Sequence, residues 1–270
     1  MNARTRPMDE LFLRDRIAVQ TNDFAPDRET LIFLHGLAGS SSAWEEYIPL
    51  FERDFNLVFL DLRGHGKSRR YRDSSEYQIS RFAQDLEAIF SDLGITEAIL
   101  IAHSFGCLVA MDYIARHPEK IRKVVFISAR FDTRNRLLFH FTSLVHRLLS
   151  PLDSRFPPQC ARLDYRNYPR KTNYNPRRIY HDIRNTGLAA FLHCSRQALG
   201  VDYSREAAEL RCPVLFIHGD RDRVFPVRHA RKNQRRLQQS RLEIVPGASH
   251  VIVLSHVEVL CEKIRDFVHE

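Results

Sequence analysis

The sequence predicts an α/β protein with a mainly parallel sheet covered by helices on both faces. Short, continuous apolar runs recur along the chain and alternate with segments of helical periodicity. Such runs are typical of strands that are buried on both faces. The chain has 270 residues, of which 44% are hydrophobic, and is therefore long enough to bury a large core.

The strand candidates follow one another in a regular order. Residues 11–20 alternate between apolar and polar side chains, which predicts a hairpin that turns near Arg14 and Asp15. Further strands are predicted at the continuous apolar runs 31–34, 57–60, 98–102, 124–127, 214–217 and 242–245.

Helical segments separate these runs. Between residues 79 and 93, apolar side chains recur at three- and four-residue spacing, and the pattern ends at Gly94, a residue typical of helix C-caps. A second helix is predicted at 108–115, before Pro118, and a last one at about 257–268. Strands and helices therefore alternate, as they do around a parallel sheet.

One segment, 131–203, breaks this rhythm, because it has no strand-like apolar run and prolines interrupt its middle. We expect it to be an insertion between two parts of one core, 1–130 and 204–270. An apolar stripe at helical spacing within it is predicted to pack the insertion onto the core, with substrate contact as the alternative. The stripe consists of Leu137, Leu138, Phe141, Leu144, Val145 and Leu148.

Positive charge is concentrated in nearly the same segment. Residues 131–205 hold 13 of the 41 Lys and Arg residues and 5 of the 33 Asp and Glu residues, so their net charge of +8 equals that of the whole chain. The segment has no nucleic-acid-binding motif, and we expect no nucleic acid partner. A solvated basic face is the simpler interpretation; recognition of an anionic substrate group, an acyl carrier protein or an acidic membrane surface is the alternative. The residues concerned are Arg155, Arg162, Arg166, Arg170, Lys171, Arg177 and Arg178.

Other features exclude further classes of protein. The five cysteines are scattered and form no Cys-x-x-Cys pair, which argues against a disulfide framework or a zinc site and favours a reducing compartment. Charges interrupt the apolar runs near the N-terminus, unlike those of a signal peptide. No stretch approaches the roughly 20 apolar residues that span a bilayer. We therefore expect a cytoplasmic protein without a metal ion or a transmembrane segment.

Ser104 lies between a strand candidate and a helix candidate. Small residues flank it two positions away on either side, Ala102 and Gly106. A sharp strand-to-helix turn requires such small residues and lifts a serine hydroxyl clear of the fold, an arrangement known as a nucleophile elbow. Ser104 is therefore the candidate nucleophile, and a role as helix N-cap is the alternative.

Two later loops supply the partners that a serine nucleophile needs. A serine hydroxyl is a poor nucleophile at neutral pH unless a histidine accepts its proton and a carboxylate orients that histidine. His250 follows the strand candidate at 242–245, and Asp222 lies beyond the one at 214–217. Asp220 competes with Asp222 for the role of the acid, and its alternative is to form a turn.

A glycine-rich loop, 35–39, follows the strand candidate at 31–34. Such a loop can direct a backbone N–H toward the negative charge that develops on a carbonyl oxygen during acyl transfer. We predict that the N–H groups of Leu37 and of Phe105, the residue after the candidate nucleophile, form this oxyanion hole.

Together, these motifs resemble the α/β-hydrolase superfamily over nearly the whole chain. The chain order serine, acid, histidine is that of the superfamily, and His35-Gly36 with Trp44 and the run from Asp61 to Ser68 are similar to its motifs. The resemblance implies an eight-stranded sheet with one antiparallel strand and a helical cap after the sixth strand, where 131–203 lies. This chain has Ala102 at the usual first glycine of the elbow and Cys107 where many relatives have another glycine. Because the nucleophile is serine and not aspartate, the haloalkane dehalogenase and epoxide hydrolase branches are disfavoured.

The sequence predicts a cofactor-independent hydrolase that cleaves small-molecule carboxylic esters with Ser104, His250 and Asp222. Cleavage of a thioester or carbon–carbon bond, or a lyase or synthase reaction, is an alternative on the same residues. A ligand-binding protein without turnover is an alternative of a different class. The residues predicted to line the substrate pocket are Phe105, Val224, Val251, Leu137 and Phe141.

Overall fold

Eight strands form one sheet in the computed structural model, which describes residues 8–149, 163–168 and 175–270. The strands are β1 Asp9–Leu13, β2 Ile17–Thr21, β3 Thr30–Leu34, β4 Asn56–Leu60, β5 Ala98–His103, β6 Ile121–Ile127, β7 Val214–Gly219 and β8 Ser240–Val245. Their order across the sheet is β1-β2-β4-β3-β5-β6-β7-β8. β2 runs antiparallel to both of its neighbours, and the remaining pairs are parallel. The predicted fold class is confirmed.

Helices cover both faces of this sheet. The α-helices are α1 Ile48–Phe51, α2 Ile79–Asp92, α3 Phe105–Arg116, α4 Arg136–Leu149, α5 Pro176–Thr186, α6 Leu188–Ala198, α7 Ser204–Ala208, α8 Arg228–Gln234, α9 Ile252–Ser255 and α10 Val257–His269. Alternate side chains of β3 explain why both faces are needed, since Ile32 packs with α2 and α3 whereas Phe33 packs with α1 and α10. The continuous apolar strands predicted from the sequence are therefore buried on both sides.

Between β6 and β7 the described residues form four α-helices, of which α4, α5 and α6 lie within the predicted insertion 131–203. The two ends of this segment run side by side, because the N–H of Tyr203 donates to the carbonyl of Phe131 at 3.0 Å. Arg70, in the loop after β4, donates to the carbonyl of Thr186 at 2.9 Å and thereby fastens the C-terminal end of α5 to the core. The boundaries 131–203 stay a prediction, and prolines 157, 158 and 169 lie outside the described residues.

Most of the apolar stripe on α4 faces solvent. Leu137 is 85% exposed and Phe141 is 62% exposed, and α4 contains no buried residue. The prediction that this stripe packs the insertion onto the core is therefore wrong. Helical periodicity identifies an apolar face, but it does not identify the surface that covers this face.

The run from Asp61 to Ser68 stabilises the loop after β4. The Asp61 carboxylate accepts hydrogen bonds from the N–H groups of Ser41 at 2.7 Å and Lys67 at 2.8 Å. Gly66 has a φ of +48°, and a Cβ there would collide with the same carboxylate. This run is therefore a structural support beneath the loop that carries the candidate oxyanion donor. Within the described ranges, no helix has the length and apolar character needed to cross a membrane.

Candidate active site

Ser104 occupies a sharp turn between β5 and α3. Its φ is +51°, a left-handed conformation that few non-glycine residues adopt, and its N–H donates to the carbonyl of Ile127 at 3.0 Å. Gly106 allows the turn to approach β3, because a Cβ there would lie 2.7 Å from the carbonyl oxygen of Leu34. Ala102 is fully buried, so the small residue at this position fits the geometry of the elbow.

Two hydrogen bonds connect Ser104 to a buried carboxylate. The Ser104 hydroxyl donates to Nε2 of His250 at 2.9 Å, and Nδ1 of His250 donates to Oδ2 of Asp222 at 2.9 Å. A carboxylate accepts only, so the imidazole carries its proton on Nδ1 and leaves Nε2 free to accept one. The structure therefore brings together the three residues that the sequence selected as nucleophile, base and acid.

Asp222, and not Asp220, contacts His250. The second oxygen of Asp222 accepts hydrogen bonds from the N–H groups of Val224 at 2.9 Å and Phe225 at 2.8 Å. Burial alone would raise the pKa of the Asp222 carboxyl, but hydrogen bonds from His250 and Phe225 outweigh burial, and the pKa lies below its usual range. Asp220 is exposed and accepts from the N–H of Gly247 at 2.7 Å, so it stabilises a turn.

The loop with the predicted oxyanion donor is fixed by a neutral histidine. Nδ1 of His35 donates to the carbonyl of Gly36 at 2.8 Å, while Nε2 accepts from the N–H of Leu62 at 3.0 Å. Burial lowers the pKa of His35 to about 4, which keeps the imidazole neutral. Leu37 and Phe105 line the same cavity as Ser104, and the N–H of Phe105 is free of intrahelical bonding because it begins α3. Their predicted role as donors fits these positions.

His103 contacts the site in a way that the sequence did not predict. Its Nε2 donates to the backbone carbonyl of His250 at 2.9 Å, and burial, followed by the nearby His250, lowers the pKa of His103 to about 3. The motifs around Ser104 assign no role to this histidine. Its only signal was its position next to Ser104, which does not distinguish a support for the base from general packing.

A cavity of about 500 Å³ opens onto Ser104 and His250. Three of the predicted pocket residues line it: Phe105, Val224 and Val251. The other two, Leu137 and Phe141, are exposed on α4 and do not line it, although Leu138 of the same stripe does. The insertion contributes different apolar side chains, namely Leu138, Ile179, Ile183, Phe191 and Leu199.

The described basic residues of the insertion have different surroundings. Arg178 lines the cavity, and its Nη1 pairs with Oδ2 of Asp182 at 2.6 Å. Arg166 is exposed and pairs with Asp164 at 2.9 Å, and Arg177 is exposed. Arg155, Arg162, Arg170 and Lys171 lie outside the described residues.

The arrangement is suited to acyl transfer. It combines a strained serine, a histidine ready to accept its proton, an ionised carboxylate behind this histidine and two backbone N–H groups beside the cavity. Among the residues that the structure describes, no group of three or more His, Cys, Asp or Glu side chains is placed to hold a metal ion.

Comparison with known proteins agrees with this fold. The family model of the alpha/beta hydrolase fold matches residues 29–257. The chain belongs to the α/β-hydrolase fold family. The curated relatives of this α/β hydrolase include Protein ABHD8 of Mus musculus, which is 25% identical over 253 residues, covering 88% of this chain and 54% of that protein. The chain thus spans about half the length of this relative.

Solved structures of other α/β hydrolases show the same fold. MGS-M2, an alpha/beta hydrolase enzyme from a Medee basin deep-sea metagenome library, superimposes with a TM-score of 0.79 at 16% identity, covering 97% of this chain and 98% of its own. The epoxide hydrolase VrEH1 from Vigna radiata superimposes with a TM-score of 0.74 at 21% identity, covering 100% and 99%. At such identities the likeness shows the fold alone, since this fold supports several chemistries.

Proposed function

We propose that the protein hydrolyses carboxylic esters through an acyl-enzyme intermediate on Ser104. The observation that carries this proposal is the unbroken pair of 2.9 Å hydrogen bonds from Ser104 through His250 to Asp222. This pair is formed without substrate and holds the histidine in the tautomer that general-base catalysis requires. These side chains therefore need little rearrangement before Ser104 attacks an ester.

In the first step, Oγ of Ser104 attacks the ester carbonyl carbon while Nε2 of His250 takes the hydroxyl proton. The negative charge that develops on the carbonyl oxygen is stabilised by the N–H groups of Leu37 and Phe105. The ionised Asp222 stabilises the imidazolium of His250. Collapse of the tetrahedral intermediate breaks the bond to the alkoxy oxygen, and His250 donates its proton to the leaving alcohol.

In the second step, His250 removes a proton from a water molecule, whose oxygen attacks the acyl carbon on Ser104. The resulting tetrahedral intermediate collapses, the Ser104 oxygen regains its proton from His250, and the carboxylic acid is released. The apolar side chains around the cavity, such as Ile179 and Phe191, would contact the non-reacting part of the ester.

Reaction with a fluorophosphonate tests this proposal directly. We expect one phosphonyl adduct on the intact protein, located by peptide mass spectrometry at Ser104, and turnover of p-nitrophenyl acetate. Ser104→Ala should form no adduct and lose this turnover. Ser128→Ala is a matched control, because Ser128 also follows a strand with a φ of +51° but takes no part in the hydrogen bonds that join Ser104, His250 and Asp222.

Each result separates the ester hydrolase from a binding protein of the same fold. Labelling of both the parent protein and Ser128→Ala, but not of Ser104→Ala, supports the proposal. Absence of both labelling and ester turnover in the folded parent protein would exclude it.

A further inference from the structure

The cavity beside Ser104 contains few charged side chains. Among its described lining residues, Arg130, Arg178 and Asp182 carry charge at neutral pH, whereas His35 and His103 are neutral because burial lowers their pKa values. Most of the remaining wall is apolar. A charge that faces such a wall interacts strongly with a bound ligand, because little water is present to screen it.

Two of these charges compensate each other. Nη1 of Arg178 pairs with Oδ2 of Asp182 at 2.6 Å, and the hydroxyl of Tyr165 donates to the other carboxylate oxygen at 3.1 Å. Burial raises the pKa of Asp182 to about 6, but the contact with Arg178 opposes this rise and favours the ionised carboxylate. The pair therefore leaves the positive charge of Arg130 as the net charge of the described wall.

Arg130 has no carboxylate partner among the described residues. Its Nε donates to the backbone carbonyl of Asp132 at 2.5 Å. The Asp132 carboxylate lies instead near Arg134 at 3.5 Å and Lys232 at 3.9 Å. The two terminal nitrogens of the Arg130 guanidinium are thus available to a ligand, and they match the spacing of two carboxylate oxygens.

The surroundings of Arg130 are positive. The pKa of His229 is lowered by burial and then by the nearby cations Arg130, Arg228 and Lys232. A further positive charge is therefore unfavourable here, and a negative charge is favoured. Because the wall has one uncompensated cation, a group with a single negative charge fits it better than a doubly charged phosphate.

Arg130 also lies near the turn that carries the reacting serine. The N–H of Ser104 donates to the carbonyl of Ile127, the last residue of β6, and Arg130 follows three residues later. Both side chains line the same cavity, so a single bound ligand can contact both.

We infer that the substrate is an ester that carries one carboxylate, and that Arg130 binds this carboxylate while Ser104 attacks the ester group. This inference rests on the proposed ester hydrolysis and adds the substrate class. The half-esters of short dicarboxylic acids have the required chemistry.

Matched substrates test the inference through kinetics. We compare kcat/KM for p-nitrophenyl hydrogen glutarate with that for its methyl ester, p-nitrophenyl methyl glutarate, which lacks the charge. The parent protein should prefer the charged ester by about tenfold or more, since hydrogen bonds to charged groups are the strong ones. Arg130→Gln should lose most of this preference through a raised KM for the charged ester. Arg134→Gln is the matched control, because Arg134 pairs with Asp202 at 2.5 Å and is not among the lining residues.

A binding measurement separates this inference from the proposed function. Calorimetry with the Ser104→Ala variant should show that monomethyl glutarate binds about tenfold or more tightly than dimethyl glutarate, and that salt weakens only the former. Equal binding of the two compounds, or equal kcat/KM for the two substrates in the parent protein, would overturn the role of Arg130. Turnover of both substrates at equal rates would leave ester hydrolysis standing, whereas failure of fluorophosphonate labelling would remove ester hydrolysis itself.

Discussion

The residues around Ser104 show how a single neutral imidazole can support another. His103 follows β5 into the elbow and donates to the backbone carbonyl of His250. Because burial holds the pKa of His103 at about 3, it adds no positive charge beside His250. A neutral His103 is important when His250 becomes an imidazolium during the proposed reaction, because a positive His103 would repel it and destabilise it.

Replacing His103 should slow the chemical step. His103→Ala removes the donor to the His250 carbonyl and lets the base move, so we expect kcat for p-nitrophenyl acetate to fall about tenfold with a smaller change in KM. The rate of fluorophosphonate labelling should fall in parallel. His117→Ala, at the end of α3, is the control and should retain both rates. Equal rates in the two variants would show that His103 only fills space.

Sequence patterns selected Ser104, Asp222 and His250, which the structure brings together, because each lies in a short motif after a strand. They could not identify Arg130 or His103, since a lone cation or imidazole beside a strand has no distinguishing pattern. Leu137 and Phe141 failed as pocket residues for another reason, because the side of a helix that meets a cavity depends on neighbours distant in the sequence.

Among the secondary-structure elements, α3 and β3 approach each other closely at the elbow. A Cβ on Gly106 would lie 2.7 Å from the carbonyl oxygen of Leu34 and 2.8 Å from that of His35. Both atoms belong to the backbone and cannot rotate away. The helix that begins at the nucleophile therefore lies directly on the strand that leads to the loop with Leu37.

Adding a methyl group at this contact should be costly. We expect Gly106→Ala to lower the free energy of unfolding by about 1–3 kcal/mol, because α3 must move away from β3. Urea unfolding measures this change, and ester turnover should fall with it. Gly200→Ala is the control, since its nearest contacts would lie 3.5–3.6 Å away, an ordinary van der Waals distance. A Gly106→Ala variant as stable as Gly200→Ala would contradict the expected clash.

The strands could be predicted more reliably than the surfaces against which the helices pack. β3, β4 and β7 are apolar on both faces, so their sequences reveal them directly. The apolar residues of α4 also recur with a regular period, but its apolar face is exposed. Only the position of α4 in the predicted insertion suggested that this face packs against the core. A segment that is buried on both faces therefore has a clearer apolar pattern in the sequence than a segment with one apolar face.

Across the whole molecule, fully buried histidines make stability depend on pH. His35, His65 and His103 have pKa values lowered by burial to about 4, 3 and 3, whereas an unfolded histidine titrates near 6.5. Below pH 6.5 the unfolded chain therefore binds more protons than the folded one. Stability is present above this pH and is lost as the pH falls toward the folded-state values.

Acid should thus unfold the protein steeply. Each of the three histidines removes up to about 1.4 kcal/mol of unfolding free energy per pH unit below 6.5. Urea unfolding at pH 7, 6 and 5, followed by the fluorescence of the buried Trp44, measures the loss. The exposed His140→Gln variant should show the same pH dependence as the parent protein. An unfolding free energy that stays constant from pH 7 to pH 5 would refute neutral burial of these side chains.

The order of strands also decides when the hydrogen bonds that join Ser104, His250 and Asp222 can form during synthesis. From β5 onward the strands join the sheet in chain order, and the serine, the carboxylate and the imidazole follow β5, β7 and β8 in turn. A ribosome-bound chain that ends before residue 240 can form the elbow of Ser104 but has no imidazole to activate it. Under the proposed function, ester turnover therefore requires β8 to be in place, because His250 follows it.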